Sequence, residues 1–293
     1  MDVDYCIILG CPRSGTSFLV DSLKALPYTE CLSGISFPVP IIHLVAQALP
    51  NDTIACLDYA LESSFDVYLD AYAGSRFRAV QRFLDGSLTI QEAKEIFLRQ
   101  HQVQRLIYKE PFFSFAPEFV YRALPTCKII YLIRDGRDCA NSLVKSYGSL
   151  TDEKLKDFRT PTAPLGYLYQ SRPVPWWVAT DRAGDFLKAS PYVRSIWMWK
   201  EMIKSCEAFF SQDHVVLSRR VLKIKYEDLT RDPRTAGEKI AQHLGVPLNK
   251  RLLSKLSRAS IQSIGKHKSR DPLELEIAED IAYTELNLQG YVC

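Results

Sequence analysis

The stretch Tyr5-Cys-Ile-Ile-Leu-Gly10-Cys-Pro-Arg-Ser-Gly15-Thr-Ser-Phe18, running on to Leu26, decides the fold. Residues 5–9 form a short unbroken apolar run, the pattern of a parallel strand buried on both faces. Residues 10–15 read as a turn and 16–26 as a helix with Phe18, Leu19, Leu23 and Leu26 on its inner side. A strand that feeds a glycine turn and then a helix aims backbone N–H groups and the helix N-terminus at one point, which favours an anion there. Gly15 allows close backbone approach, and Ser14, Thr16 and Ser17 add hydroxyl donors. The spacing is that of GxxxxGK[ST], with Thr16 in place of the lysine. An NTPase needs that lysine on the outer phosphates and a magnesium ion held by the loop hydroxyl and a partner Asp. Here the cation sits inside the loop, at Arg13, and no apolar strand ends in such a carboxylate. The loop predicts a phosphate ligand that need not be a magnesium triphosphate. An ordinary Gly/Ser turn before a helix is the competing reading.

Working outward, residues 105–108 read as a second strand ending at Lys109-Glu-Pro111, and 128–133 as the clearest strand of all. Arg134-Asp-Gly-Arg137 follows it, then a helix to about Tyr147. A fourth strand at 221–226 leads into Glu227-Asp-Leu229 and Asp232-Pro233, with helices near 234–244 and 248–257. This alternation predicts an α/β fold of three layers, a central parallel sheet with helices on both faces and helical insertions. A mostly helical insertion is expected at about 38–101. Another, at about 150–190, is broken by Pro161, Pro164, Pro173 and Pro175 and carries Trp176 and Trp177, expected to be partly exposed. One domain over residues 1–293 is the simplest account.

Arg134 stands at the carboxyl end of a strand, where open α/β sheets bind ligands, and its guanidinium can fork onto a phosphate. Ser142 lies about two helical turns on and reaches the same anion only if the helix crosses the site. Arg137 and Asp138 are expected to pair on the surface or to cap the helix, as are Glu227 and Asp228 for the helix that follows them. Two phosphate sites at two strand ends describe a nucleotide with separate 5′ and 3′ phosphates.

Bulk properties are those of an ordinary globular protein and argue against several classes. Hydrophobic residues make up 47% and charged residues 24% of 293, ordinary for a globular protein. A formal charge of +3 is too slight for nucleic acid to be the main partner, yet suits a pocket for a small anion. The eight cysteines form no CxxC pair and have no histidine cluster beside them, so neither a zinc site nor a disulfide framework is expected. No segment has the apolar length of a membrane span and the N-terminus lacks a secretory pattern, which predicts a cytoplasmic protein with no membrane partner. Oligomeric state is not legible.

Taken together, the motifs resemble the 3′-phosphoadenylyl-sulfate-dependent sulfotransferase family. Its 5′-phosphosulfate loop resembles Cys11-Pro-Arg-Ser-Gly-Thr-Ser17, and its 3′-phosphate motif resembles Arg134 with Ser142. The stretch Glu227-Asp-Leu229 with Asp232-Pro233 is similar to the family's YEDL…DP, and Lys109-Glu-Pro111 to its Lys-x-Pro turn, so the likeness spans about 5–245. It implies 3′-phosphoadenylyl sulfate as donor and adenosine 3′,5′-bisphosphate (PAP) as product; no basic groove speaks for a polysaccharide acceptor, and a small-molecule or natural-product acceptor sulfated on a hydroxyl or amine is the preferred class. It also implies Arg13 and Lys109 as donors to the leaving oxygen, Phe18 beneath the adenine, and Tyr226 at the adenine or 3′-phosphate. Lys266 and Lys268, in the basic and flexible stretch 263–270, occupy the place of the loop that closes over the 3′-phosphate. The family's bases are missing: Pro111 stands where relatives have His, and Gly34-Ile-Ser where others have Gly-Glu-Glu. Glu110, then Glu30 and His43, are the candidates that remain. A P-loop kinase or NTPase, and a catalytically silent binder of the same fold, are the rival readings. Tyr167, Tyr169, Trp176 and Trp177 are expected either to cover a ring-bearing acceptor or to fill the core of their insertion.

Overall fold

A computed structural model describes residues 3–33, 39–47, 49–73, 75–98, 103–160 and 163–292. The chain opens with β1 (Asp4–Leu9), α1 (Thr16–Leu23) and β2 (Thr29–Ser33). It is then helical through α2 (Val39–Val45), α3 (Asn51–Tyr68), a π-helical turn, α4 (Arg76–Leu84) and α5 (Ile90–Phe97). From β3 (Arg105–Lys109) a 3₁₀ turn (Pro111–Phe115) and α6 (Pro117–Ala123) lead to β4 (Lys128–Ile133) and α7 (Gly136–Tyr147). Next come α8 (Asp152–Leu155) and two small antiparallel ladders, β5 (Arg159–Thr160) with β6 (Ala163–Pro164) and β7 (Gly166–Tyr169) with β8 (Arg172–Pro175). After α9 (Ala183–Lys188), α10 (Pro191–Phe210) and α11 (Asp213–Ser218) comes the last sheet strand, β9 (Val221–Lys225). The chain closes with α12 (Tyr226–Arg231), α13 (Pro233–Leu244), α14 (Lys250–Leu256), α15 (Pro272–Ile281) and α16 (Tyr283–Leu288).

The main sheet has the order β2-β3-β1-β4-β9, and every pair in it is parallel. Side chains alternate between its faces, as the pleat requires. Ile7, Leu9, Leu106, Tyr108, Ile129, Tyr131 and Ile133 join one core with α3, α6, α7 and α10. Cys6, Ile8, Ile107, Ile130 and Leu132 join the other, with α1, α13 and α14. Both faces are covered, so the strands read as unbroken apolar runs rather than alternating ones. That is the predicted three-layer α/β architecture.

Local chemistry sets the helix ends. Asp135 accepts from the Arg137 N–H to cap α7, which stops at Gly148 in the left-handed region (φ 56°). Asp232 with Pro233 at N1 starts α13, and Gly245 (φ 71°) ends it. The edge strand β2 and the twenty-residue α10 were not anticipated from the sequence. Trp177 is buried, stacked on Phe115 at 5.9 Å and edge-on to Phe186 at 5.4 Å, which corrects the expectation that it is partly exposed, whereas Trp176 is half-buried as expected. Among the described residues no helix is long and apolar enough to cross a membrane. Because the strands are parallel and in register, Leu9, Lys109, Ile133 and Lys225 all end at one edge of the sheet. The candidate site lies along that edge.

Candidate active site

A cavity of about 590 Å³, the size of a nucleotide site, runs along the carboxyl edge of the sheet. At one end lie Gly15, Thr16, Ser17 and Phe18, with Lys109 and Pro111 beside them. At the other lie Arg134, Asp138, Asn141, Ser142, Lys145 and Lys266. Arg13 and Tyr226 line it as well.

The loop end is built by backbone geometry. Gly15 has φ 98°, and a Cβ there would stand 2.5 Å from the Tyr226 ring, so only glycine lets the loop lie against the end of β9. No side chain caps α1, which leaves its N-terminal N–H groups facing an anion position. Arg13 is itself left-handed (φ 73°), a conformation that costs a non-glycine residue about 1–3 kcal/mol. Its Nε donates to Ser142 Oγ at 2.9 Å and its Nη1 to Tyr147 Oη at 3.2 Å, with the guanidinium 5.2 Å from that ring. Lys109 Nζ stands 3.5 Å from Ser17 Oγ.

The far end is held by groups distant in sequence. Trp199 Nε1 donates to the Arg134 carbonyl at 3.0 Å, and the Asp135 N–H donates to Glu227 Oε1 at 3.0 Å. Arg137 grips Asp135 at 2.8 Å and also reaches Glu279 and the Tyr291 carbonyl. Arg134 lies 4.9 Å from the Tyr226 ring; its Nη1 donates to the Arg13 carbonyl at 3.0 Å and its Nη2 to the Ser263 carbonyl. Its buried Nε–H has no partner among the described residues. Among the described residues Arg13, Lys109, Arg134, Lys145 and Lys266 line the cavity together with one carboxylate, Asp138. Burial alone would raise the pKa of Asp138, but hydrogen bonds from His267 and the Gly265 N–H hold it below the usual carboxylate value. The cavity is therefore an anion site with a cationic group at each end.

The model of the sulfotransferase family matches residues 6–172, more than half of the chain and across both ends of this cavity. The chain belongs to the sulfotransferase family. No curated protein matches it. Among solved structures it is similar to the sulfotransferase domain of the curacin biosynthetic pathway (19% identity, 100% of this chain and 92% of that one, TM-score 0.47). It is also similar to the sulfotransferase domain of the Synechococcus PCC 7002 olefin synthase (18%, 97% and 96%, 0.46) and to a mouse sulfotransferase complexed with PAP (16%, 98% and 86%, 0.49).

Within this sulfotransferase, Arg13, Gly15, Thr16, Ser17, Phe18, Lys109, Arg134, Ser142, Tyr226 and Lys266 come together on one cavity. Ser14 does not line it: the side chain is buried, so any part in anion binding falls to its backbone. Lys268 is exposed and also away from the cavity. The stretch around it is not a free loop, since it forms two 3₁₀ turns and buries His267. Glu110 is displaced by strand alternation, because Lys109 and Pro111 face the cavity and the residue between them does not. Its Oε1 accepts from the Phe112 N–H at 3.1 Å, and burial pushes its pKa up. His43 does not line the cavity either; it contacts Gln47, and its ring lies 5.6 Å from Trp176. Burial lowers its pKa. Glu30 is engaged by Arg78 at 2.7 Å and Arg82 at 3.2 Å, which rules it out as a free base. Gly34-Ile-Ser lies outside the described residues. Asp138 is buried and Arg137 half-buried, and both connect elements rather than forming a surface pair, while Glu227 binds Asp135 and Tyr291 instead of capping a helix. Sequence reading missed Lys145, which continues the face carrying Asp138, Asn141 and Ser142; the i, i+3, i+4, i+7 spacing carried that signal. It also missed Trp199 and His267, which reach the site only through the fold.

Proposed function

We propose that the protein transfers a sulfuryl group from 3′-phosphoadenylyl sulfate to a hydroxyl or amine of a small-molecule acceptor, with the donor lying across the cavity from α1 to α7. One observation carries this reading: a single cavity joins the N-terminus of α1, which no side chain caps, with Lys109 beside it, to Arg134, Ser142 and Lys266. A nucleotide with 5′-phosphosulfate and 3′-phosphate needs such a grip at each end. The Nε–H of Arg134, without a partner among the described residues, supports a bound acceptor at this end.

In this reading Thr16 and Ser17 hold the 5′ end, and Arg134, Ser142 and Lys266 hold the 3′-phosphate. Phe18 and Tyr226 flank the base. The acceptor oxygen or nitrogen bonds to sulfur as the bond from sulfur to the phosphate oxygen breaks, and the acceptor's proton leaves to a base. Catalysis of such a loose transfer is mostly positioning and charge stabilisation. Arg13 and Lys109 donate to the oxygen on which charge develops.

The acceptor side is drawn from the aromatic groups that continue from Pro111. Trp176 has Phe115 at 5.5 Å, His43 at 5.6 Å, Phe112 at 6.4 Å and Phe158 at 6.5 Å, spacings typical of aromatic packing. This supports an acceptor with an apolar ring, and it puts His43 ahead of Glu110 as the base. An imidazole kept neutral by burial can take a proton at pH 7, whereas Glu110 is committed to the Phe112 N–H. Trp176→Ala should raise the acceptor KM about tenfold, as loss of an aromatic contact does, with the donor KM unchanged; an unchanged acceptor KM removes this part.

Thermal unfolding with PAP against ATP plus magnesium tests the donor assignment. PAP at about 100 times its Kd should add about 2.7 kcal/mol, and ATP with magnesium should add far less. The reverse order would favour a kinase or NTPase.

A further inference from the structure

We propose that Asp138 is a positioning residue for the donor, acting through Gly265 and His267 to present Lys266 to the 3′-phosphate. This rests on the proposed reading of the cavity as the donor site. A carboxylate in a cavity for phosphates is otherwise a liability, because like charges at short range raise the free energy of the bound anion. Asp138 is nevertheless kept there, with a side chain fully shielded from solvent.

Its lone pairs explain why. Oδ2 accepts from the Gly265 N–H at 2.6 Å, and Oδ1 accepts from the His267 N–H at 3.0 Å and faces His267 Nδ1 at 2.9 Å. These N–H groups flank Lys266, so the main chain on both sides of that lysine is tied to the first turn of α7. Lys266 lines the cavity, while Lys268, one residue beyond the tie, does not. Other links to this segment run through its carbonyl oxygens, Arg134 to Ser263 and Tyr226 Oη to Ser260 at 3.4 Å, or through side chains, Ser263 Oγ to Tyr226 Oη at 3.3 Å and Arg270 Nη1 to Asn141 Oδ1 at 3.0 Å. Asp138 supplies the acceptor for the N–H groups, and His267, itself buried, adds the side-chain donor that keeps the carboxylate turned toward the segment.

Asp138→Asn separates positioning from simple charge by sign. Removing a negative charge from an anion site should tighten PAP if charge were the whole story. An amide, however, can offer only one acceptor oxygen and presents an N–H to an N–H, so loss of position should weaken PAP. Titration calorimetry should show PAP bound about tenfold more weakly, the worth of one charge-assisted hydrogen bond. Adenosine 5′-monophosphate, which lacks the 3′-phosphate, should bind with unchanged affinity. His267→Ala should give the same selective loss, and His267→Asn, whose amide nitrogen stands near the position of Nδ1, should restore binding. If Asp138→Asn does not fold, the two His267 variants decide the matter. Tighter PAP binding in Asp138→Asn, equal losses for both nucleotides, or no difference between His267→Ala and His267→Asn would overturn the inference while leaving the donor site in place. A wild-type protein that does not bind PAP at all would remove the donor reading itself, and this inference with it.

Discussion

Arg13 combines a left-handed backbone, φ 73°, with a guanidinium held against Ser142 and Tyr147 on the cavity wall. Lys109, at the end of the next strand, lines the same cavity beside Ser17. If both stabilise the leaving oxygen, Arg13→Ala and Lys109→Ala should each lower kcat about 10²–10³-fold, with a smaller change in PAP affinity. Arg134→Ala should do the opposite, weakening PAP roughly 10- to 100-fold through loss of a charged hydrogen-bonding group. For the base, the sign follows from which form reacts. A histidine accepts the proton only when neutral, so kcat/KM rises with pH through its pKa and then levels. Burial lowers the His43 pKa, placing this acid limb below about pH 6.5. His43→Gln should flatten the limb and slow turnover about 10²-fold. A limb that survives in His43→Gln but vanishes in Glu110→Gln would move the assignment to Glu110.

At the scale of elements, the sheet depends on a contact that no local pattern reveals. Glu30 is fully buried on edge strand β2 and is tolerable there only because Arg78 and Arg82 reach it from α4, with Tyr68 Oη at 3.1 Å. Glu30→Gln should destabilise the protein by about 3–5 kcal/mol in urea unfolding, since it leaves buried arginines without their counter-charge. The exposed pair Arg231–Asp228 should contribute about 1 kcal/mol or less. Gly136 is equally constrained: a Cβ there would stand 2.4 Å from the Trp199 ring. Gly136→Ala should therefore cost about 1–3 kcal/mol through overpacking and weaken PAP together with stability. The same elements mark what sequence could tell. Strands β1, β3, β4 and β9 were legible because burial on both faces leaves unbroken apolar runs, and the phosphate loop because its glycines are forced by close approach. Strand β2 was hidden by Glu30, whose compensation lies some fifty residues away. Trp199 and His267 were hidden because their roles exist only once α10 and the C-terminal segment are folded against α7.

At the scale of the molecule, we propose one domain, with its helical and β-ladder insertions packed on the cores that cover the sheet. Unfolding followed by tryptophan fluorescence and by far-UV circular dichroism should then give one coincident transition; two separated transitions would divide the chain. The acceptor was the least legible feature in the sequence, because its candidate wall is assembled from α2, the turn after β3 and the segments around Phe158 and Trp176. No single one of these carries a motif. The central claim is that one nucleotide bridges the two ends of the cavity, and a crystal structure with PAP tests it most directly. The account predicts the 5′-phosphate at the N-terminus of α1 beside Thr16 and Ser17, and the 3′-phosphate within hydrogen-bonding distance of Arg134 and Ser142. A nucleotide with either phosphate elsewhere, or one that leaves Arg134 still bound only to the carbonyls of Arg13 and Ser263, would contradict it.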